Sequence, residues 1–279
     1  MNNKLQNRFY KFINKTNENP IITSFFVLII VSGIVIGLSI PYYLNDFNDF
    51  YQQILAEAHG MLFDIAVIGI LILWLHNHGE NRRRIRTYLD EIDDFRLWDS
   101  EEAAYRTAGN IKRLNRHGIH DLNLADCYLA RTNLNYVNLS RANLNLANLS
   151  HAHLIGSFLV ESRLNQTNFE QANLNHCDLQ KAYANGANFN SAFLINANFE
   201  NSYLIKANFE NAILMEANLQ GCDLSGASFK FANLFKADLR RVTGLTCDQL
   251  LEARNLHRAK LDDQLFQELQ AKRPELLAK

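Results

Sequence analysis

Residues 197–219 read ANFENSYLIKANFENAILMEANL, and this stretch shows the pattern that decides the fold. Every fifth residue is Leu or Phe, and the residue two positions before it is Ala or Ser each time. A period of five fits neither the 3.6 residues of a helical turn nor the two-residue alternation of a strand. It predicts a solenoid whose repeats each turn one large and one small residue into the core.

The pattern continues without interruption from Leu124 to Leu239, which makes 24 units. Leu or Phe occupies 23 of the 24 central positions, with Ala184 as the exception, and 22 of the units have Ala, Ser, Thr or Cys two residues earlier. Four units per coil would stack the phenylalanines that recur every 20 residues. We therefore predict a four-sided solenoid of six coils, about 29 Å long at about 4.8 Å per coil. These phenylalanines are Phe169, Phe189, Phe209 and Phe229.

The unit A(N/D)LXX, seen at Ala142-Asn143-Leu144 and Ala237-Asp238-Leu239, resembles the unit of the pentapeptide-repeat proteins. The resemblance covers about residues 119–243. It implies an all-β solenoid, a right-handed quadrilateral β-helix with Leu or Phe at the centre and Ala inside. It implies no catalytic residue, because the family has no general active site, so we expect no enzymatic activity, no cofactor and no metal.

A cluster of aromatic and aliphatic residues stands where Asn or Asp is usual: Tyr183, Phe193, Tyr203 and Ile213. Four units per coil place the two tyrosines on one side of the solenoid and the other two residues on the opposite side. Exposed together, they are a candidate surface for partner binding or self-association. Scattered surface aromatics are also normal in globular proteins.

The N-terminal part has a different composition. Residues 21–43 read IITSFFVLIIVSGIVIGLSIPYY without one charge, which is long enough for a transmembrane helix. A second span at 56–76 would have to take Asp64 into the bilayer, because the uncharged run from Ile65 to Leu75 is too short alone. The alternative for this second segment is a re-entrant or interfacial position.

Charges around the two segments favour a hairpin. Basic residues precede the first span in residues 1–20 and follow the second at Arg82–Arg84 and Arg86, while the connecting loop at 44–55 has only acidic charges. The positive-inside rule then places both termini in the cytoplasm. We predict a multi-pass integral membrane protein of the bacterial inner membrane.

Three residues of the hairpin are candidates for helix packing or an ion path. Gly33 and Gly37 form a GxxxG motif, whose small residues allow another helix to approach closely. Asp64 is costly in a membrane unless it is protonated, paired or hydrated. A hydrogen bond to Ser32 or Ser39 of the other span is one interpretation, and a polar contact or ion path in an oligomer is another.

Helical segments are predicted on both sides of the repeats. In the neck, residues 77–118, an apolar stripe begins at Ile85 and suits either packing on the following domain or a short bundle. Asp99 can begin a second neck helix and Gly118 can end it. In the cap, residues 244–279, Thr246 and Gln249 form a capping box, and Leu276 and Leu277 belong to a tail that we predict to be loose.

Three cysteines are predicted to be buried core thiols in a protein of a reducing compartment. They are Cys127, Cys177 and Cys222.

Charge limits the functions that remain. The chain has a net charge of −1, and residues 119–241 carry nine Lys+Arg against ten Asp+Glu. This balance disfavours both nucleic-acid binding and the acidic DNA mimicry that some pentapeptide-repeat proteins use toward gyrase. The leading hypothesis is a membrane-anchored scaffold for protein interaction. The alternative is an oligomeric membrane channel or effector regulated by the β-helix. The expected partners are the lipid bilayer, an unidentified protein and, in a homo-oligomer, a second copy of the chain.

Overall fold

A computed structural model describes the backbone of residues 20–44 and 49–278, and the side chains of residues 28–38, 40–41 and 55–278. The predicted N-terminal segment, apart from its last residue, lies outside this range. The chain divides into two compact units, Met1–Arg84 and Ile85–Lys279.

Two helices account for the described part of the first unit. Helix α1 is Pro20–Leu44, and helix α2 is Asp49–Asp94, whose last turns belong to the second unit. The apolar segments 21–43 and 56–76 both lie within these helices. Residues 49–55, expected in a loop, are helical, because residues 49–59 contain neither Gly nor Pro and are rich in helix formers. The rest of that loop, residues 45–48, is outside the described residues.

The second unit begins with a helical neck that packs on the repeats. Ile92, on the apolar stripe of α2, is 2% exposed and shares one core with Ile111 and Leu114. Of the two arrangements that suit this stripe, the structure shows packing on the following domain. Ile85 and Tyr88 contact the same core from its edge.

Helix α3, Glu101–Arg116, has well-defined ends. The residue that caps its start is Ser100, not Asp99 as predicted: the Ser100 hydroxyl accepts the backbone N–H of Ala103 at 3.2 Å. At its other end Gly118 adopts a φ of +74°, and the backbone N–H of Ile119 reaches back to the carbonyl of Leu114 at 3.0 Å. This is a Schellman end, so the predicted role of Gly118 is confirmed.

The repeats form a β-helix with four pentads per coil. Parallel bridges join residues 20 positions apart, from Asn123↔Asn143 through Asp223↔Thr243. We call the residue that makes the bridge the bridge position; it directly precedes the central Leu or Phe. The register confirms the predicted coil length and six coils. Within the described residues the contacts are single bridges rather than extended strands, because each pentad turns a corner.

The corners explain why strands stay short. The second residue after each centre has a positive φ, as at Gln166 (56°), Gly186 (65°) and Lys206 (56°). The centre's N–H donates to the next coil, as from Leu164 to the carbonyl of Tyr183 at 2.7 Å. The N–H of Tyr183 donates back to the carbonyl of Ser162 at 2.9 Å. Backbone hydrogen bonds therefore join neighbouring coils at every pentad.

Burial confirms the inward positions. Every central residue from Leu124 to Leu239 is fully buried. The four phenylalanines at the 20-residue period stack as predicted, and the rings of Phe189 and Phe209 lie 4.9 Å apart and 3° from parallel. Hydroxyls and thiols at the small position donate to backbone carbonyls. Thr167 donates to the preceding coil, at the carbonyl of Leu144 (2.7 Å). Thr132 and Ser162 instead donate to the centre three residues earlier, at 2.6 Å each.

Ala184, the one central residue that is neither Leu nor Phe, is fully buried like the others. The coil that begins at Ala184 has two central phenylalanines, Phe189 and Phe199, on opposite sides. Their rings meet edge to face at 5.6 Å. We expect the larger ring of Phe199 to fill part of the interior volume that a Leu or Phe at 184 would occupy.

Polar side chains close the first coil. The Arg96 guanidinium donates to the carbonyls of Ala125 (2.6 Å) and Asn123 (3.0 Å). The amide of Asn115 makes two bonds with the backbone of Asn138: it accepts the N–H at 2.7 Å and donates to the carbonyl at 2.9 Å. These groups take the place of a preceding coil at an edge that otherwise invites pairing with another chain.

The last coil continues beyond the predicted boundary at 243. Helix α4, Cys247–Leu251, begins with the predicted Thr246–Gln249 capping box. Two further bridges, Asn233↔Asn255 and Asp238↔Lys260, then resume the solenoid at a spacing of 22 residues. The helix thus inserts two residues into a coil. Two more pentads, centred on Leu256 and Leu261, therefore belong to the β-helix, and the prediction that residues 244–279 form only a helical cap is wrong for them.

The C-terminal tail is packed, contrary to the prediction that it is loose. Helix α5, Asp263–Lys272, is followed by a short 3-10 helix at Pro274–Leu276. Leu276 is 4% exposed, and its carbonyl accepts the N–H of Leu256 at 3.0 Å. The tail therefore covers the open edge of the last coil.

The fit between Ala184 and Phe199 can be tested by a double-mutant cycle. Ala184→Leu adds three carbons to a filled interior and should destabilise the repeats by about 1–3 kcal/mol. Adding Phe199→Leu should recover part of that loss, because it returns the coil to the composition of its neighbours. The free energy of unfolding from denaturant titration measures both. Strictly additive effects of the two changes would contradict the shared-volume explanation.

Two buried thiols make the stability of the fold decrease with rising pH in the alkaline range. Desolvation raises the pKa of Cys177 and of Cys222 to about 12. Their thiols donate to the carbonyls of Leu154 and Phe199. All four cysteines are free. Because the folded state holds these protons more tightly, their contribution is complete below the ordinary thiol pKa and is lost as the pH rises from about 9 toward 12.

Replacing both thiols by hydroxyls should remove that dependence. Ser157 and Ser202 occupy equivalent positions and make the equivalent hydrogen bond at 2.7 and 2.6 Å, so Cys177→Ser with Cys222→Ser should fold. The wild type should lose up to about 1.4 kcal/mol per pH unit per thiol relative to this variant above pH 9. Parallel stability curves for the two proteins over pH 8–11 would refute the assignment.

Candidate functional site: two exposed faces of the solenoid

The side chain at the bridge position normally makes a hydrogen bond that stabilises its own turn. Its Asn or Asp accepts the backbone N–H two residues later, as when Oδ1 of Asn188 accepts from Asn190 at 3.1 Å. An Asn also donates its amide to the Asn one coil before, and Nδ2 of Asn188 reaches Oδ1 of Asn168 at 3.0 Å. This local bond favours Asn and Asp there. A tyrosine, phenylalanine or isoleucine cannot make it.

Where the bridge residue is Tyr183, Phe193 or Tyr203, another residue makes the hydrogen bond to the turn N–H. An Asn one coil earlier, directly after its own centre, accepts the turn N–H instead. Three such bonds serve the three positions, and each of these asparagines replaces the missing bridge Asn. They are Asn185 N–H to Asn165 (3.2 Å), Ile195 N–H to Asn175 (2.8 Å) and Ile205 N–H to Asn185 (3.2 Å). The three aromatic side chains are thus not needed for this turn bond.

On one side, Tyr183 and Tyr203 form a continuous exposed surface. They bridge each other, their rings stack at 5.1 Å and 7°, and they are 45% and 46% exposed. The same column continues to Arg163 below and to Asp223 above. We call these four residues the tyrosine ladder. The structure brings the two predicted tyrosines together.

On the opposite side, Phe193 and Ile213 also bridge each other, and Phe193 is 42% exposed. A second column lies beside them at the first position after the centre. It contains the half-buried residues Ile195, Met215 and Phe235. Phe193, Ile195, Ile213, Met215 and Phe235 together form an apolar ridge across three coils.

The second column of the ridge was missed from the sequence. Phe193 and Ile213 stand out in the sequence because they occupy a position that is usually Asn. The outward residues two places later occupy a position without such a preference. Ile195, Met215 and Phe235 recur at the 20-residue period, so the signal is present in the sequence once the coil length is known.

Charged groups border the C-terminal end of the ridge. The Lys236 ammonium lies 5.2 Å from the centre of the Phe235 ring and pairs with Glu216 at 2.8 Å. The Phe235 ring also stacks on His257 at 5.7 Å. A groove of about 620 Å³ runs along the adjoining corner and includes Glu216, Lys236 and Arg258 in its lining. The ridge is therefore apolar in its middle and polar at this end.

In the first unit, α1 and α2 lie side by side. A cleft of about 230 Å³ between them is lined by residues of both helices, including Ser32 and Ile36 of α1 and His59 and Phe63 of α2. His59 Nδ1 lies 2.6 Å from the carbonyl of Leu55 within its own helix. The two helices therefore form a packed pair.

The predicted hairpin residues are not drawn into that contact. A Cβ added to Gly33 or Gly37 would meet no other atom of the described residues within 4 Å, so the GxxxG face does not pack on α2 there. Asp64 is exposed and makes no hydrogen bond within the described part of the chain, so its expected bond to Ser32 is not formed. The side chain of Ser39, the other expected partner, lies outside the described residues.

Apolar side chains cover the surface of α2. The stretch Leu55–Asp94 is the one helix of the described residues that is long and apolar enough to cross a membrane, judged by length and composition only. In α1 a shorter apolar stretch, Leu28–Leu38, falls within the described side chains. Phe63 is 71% exposed and Ile65 is 65% exposed.

Within the described side chains, no three His, Cys, Asp or Glu residues lie close enough together to hold a metal ion. His151 and His153 are close in sequence, and both are exposed on the β-helix. No third potential ligand lies beside them among the described residues.

Comparison with known proteins places the repeats in a family. Residues 123–160, 159–190, 185–221 and 212–243 match the family model for pentapeptide repeats, with eight copies. No curated protein matches the chain. Among solved structures, QnrB1, a plasmid-mediated fluoroquinolone resistance protein, is 18% identical over 53% of this chain and 82% of its own, with a TM-score of 0.30.

Two cyanobacterial structures give similar values. A pentapeptide repeat protein from Nostoc Pcc 7120 is 18% identical over 55% of this chain and 94% of its own, with a TM-score of 0.29. Rfr23 from Cyanothece 51142 is 24% identical over 55% of this chain and 98% of its own, with a TM-score of 0.18. The coil geometry described above rests on the bridges and hydrogen bonds of this chain itself.

Proposed function

We propose that this chain, whose residues 123–243 match the family model for pentapeptide repeats, is a non-enzymatic scaffold, anchored in a membrane, whose β-helix binds another protein. The observation that carries the proposal is the apolar ridge. It presents five apolar side chains on a rigid, regular surface, and at Phe193, in its first coil, the turn N–H is bonded by Asn175 instead of by the bridge residue.

The ridge suits a protein partner for two reasons. Its backbone is fixed by hydrogen bonds on both flanks, so little conformational freedom is lost when a partner binds. Its apolar middle and charged end resemble the core and rim of a protein interface. The ion pair of Glu216 and Lys236 lies at this rim, where a partner can add polar contacts.

The membrane anchor is supported by the surface of α2. Exposed apolar area costs about 25 cal/mol per Å² in water, so a helix covered by residues such as Phe63, Ile65 and Trp74 needs an apolar environment. A bilayer supplies one over the required length. The basic residues Arg82–Arg84 follow the apolar stretch and suit the cytoplasmic membrane surface, which supports a cytoplasmic position for the β-helix in this proposal.

Changing the ridge should abolish partner binding without weakening the fold. In Phe193→Asn with Ile213→Asn, both positions receive the residue that the repeat usually carries there, so the free energy of unfolding should not fall. Proteins cross-linked to the wild-type chain in its native membrane should be lost at least about tenfold, as expected for the centre of an interface.

Phe158→Asn is the matched control for this experiment. Phe158 also occupies a bridge position and is 48% exposed, but it lies on a different side of the solenoid. Its replacement should leave the cross-linked proteins unchanged. If the ridge variant retains all of its cross-linked proteins, the ridge is not the binding surface.

Membrane anchoring should depend on the apolar surface of α2. Ile68→Arg with Ile72→Arg places two charges in the middle of the predicted span, at a cost of about 2.5–3.5 kcal/mol each. The full-length variant should shift from the alkali-resistant membrane fraction to the soluble or aggregated fraction. Leu97→Arg replaces a residue that is also exposed but lies outside the span, and it should stay with the membrane. A wild-type chain that alkali releases from membranes would contradict the anchor.

A further inference from the structure

The tyrosine ladder carries opposite charges at its two ends. Arg163 stands one coil before Tyr183, and Asp223 stands one coil after Tyr203. Arg163 and Asp223 lie three coils apart, about 14 Å, which is too far for them to pair within one chain. Neither has a salt-bridge partner in the part of the chain that the structure describes. Oδ1 of Asp223 accepts from Ser225 N–H at 3.0 Å and from its hydroxyl at 2.6 Å, which leaves Oδ2 for another donor.

The order Arg, Tyr, Tyr, Asp is self-complementary under a two-fold axis. An axis between the two tyrosines, parallel to the pentads, turns the solenoid over and keeps the column facing its own copy. Tyr183 then faces Tyr203 of a second chain, and Arg163 faces its Asp223. Such an isologous contact forms every pairing twice. We propose that this face of the β-helix binds a second copy of the same chain, antiparallel, through the tyrosine ladder.

The neighbouring corner fits the same axis. Along this corner, residues with long side chains alternate with glycines: Gln166, Gly186, Lys206 and Gly226. The two-fold axis that pairs Arg163 with Asp223 places Gln166 opposite Gly226 and Lys206 opposite Gly186. Each long side chain therefore meets a corner without a side chain. This match does not depend on the charges and supports the same axis.

The opposite face fits a second copy less well. The same operation on the apolar ridge places Asn175 opposite Phe235 and His176 opposite Lys236, so apolar and polar groups would be mismatched at its ends. Self-association therefore belongs to the tyrosine ladder, and the ridge remains available to a different protein. The dimer contact depends on neither the membrane anchor nor the ridge.

Charge reversal tests the contact and its symmetry. Full-length protein in detergent should show a concentration-dependent dimer by sedimentation equilibrium. Arg163→Glu alone and Asp223→Arg alone should each weaken dimerisation roughly tenfold or more, because each creates two like-charge contacts per dimer. The double variant, Arg163→Glu with Asp223→Arg, should recover it, because opposite charges face each other again.

Mixing the two single variants is the sharper test. A chain with Arg163→Glu and a chain with Asp223→Arg match at both ends of the ladder, so they should form a heterodimer although neither forms a strong homodimer. Differently labelled chains report this by fluorescence energy transfer. Only an arrangement that brings position 163 of one chain to position 223 of the other predicts this outcome.

Two further variants protect the test from misfolding. Asp223→Asn removes the charge but keeps an oxygen for Ser225, so it should weaken the dimer without changing stability. Phe158→Asn should leave the dimer unchanged. A monomeric wild type, or an oligomer insensitive to all changes at 163 and 223, would overturn the proposal. Neither outcome would bear on partner binding by the ridge, which is measured with separate variants.

Discussion

The hydrogen bonds between successive coils are the constraint on which the rest of the structure depends. They require each pentad to advance by one corner and each coil to close after 20 residues. Most corners place a residue other than glycine at positive φ, at a cost of about 1–2 kcal/mol for each residue. The buried Leu and Phe centres and the repeated backbone bonds offset that strain. A single shifted residue would remove a large side chain from the core and break the register above and below it.

A solenoid held in this way must be closed at both ends, since its first and last coils offer unpaired backbone groups. The chain closes them with different devices. At the start, the side chains of Arg96 and Asn115 bond directly to the first coil. At the end, a helix interrupts a coil, the Gln249 amide donates to the carbonyls of Leu224 and Ala227, and the tail supplies the carbonyl of Leu276. These caps satisfy backbone groups that the end coils would otherwise leave unpaired.

The sides differ in what their residues must do for the fold. At most bridge positions Asn or Asp holds its own turn. At Tyr183, Phe193 and Tyr203 an asparagine one coil earlier does so, and the bridge side chain is no longer needed for that purpose. The two faces thus arise from a substitution of hydrogen-bond acceptors between coils. One face is apolar and suits a different protein, and the other pairs tyrosines with opposite charges at its two ends.

Much of this protein follows from its sequence alone. The five-residue period, the 20-residue recurrence of Phe169 through Phe229, and the small residues beside each centre determine the coil, because only one side-chain arrangement satisfies both periods. Local signals also identify Gly118 and the Thr246–Gln249 box, whose hydrogen bonds lie within a few residues.

Other features depend on contacts between residues distant in sequence. Only the tertiary structure shows that Leu256 and Leu261 rejoin the solenoid after an inserted helix, and that Leu276 is packed rather than loose. It also adds Ile195, Met215 and Phe235 to the ridge. Each of these depends on which residue lies one coil away or across the interior, and a linear pattern fixes that neighbour only after the register and its two-residue shift are known.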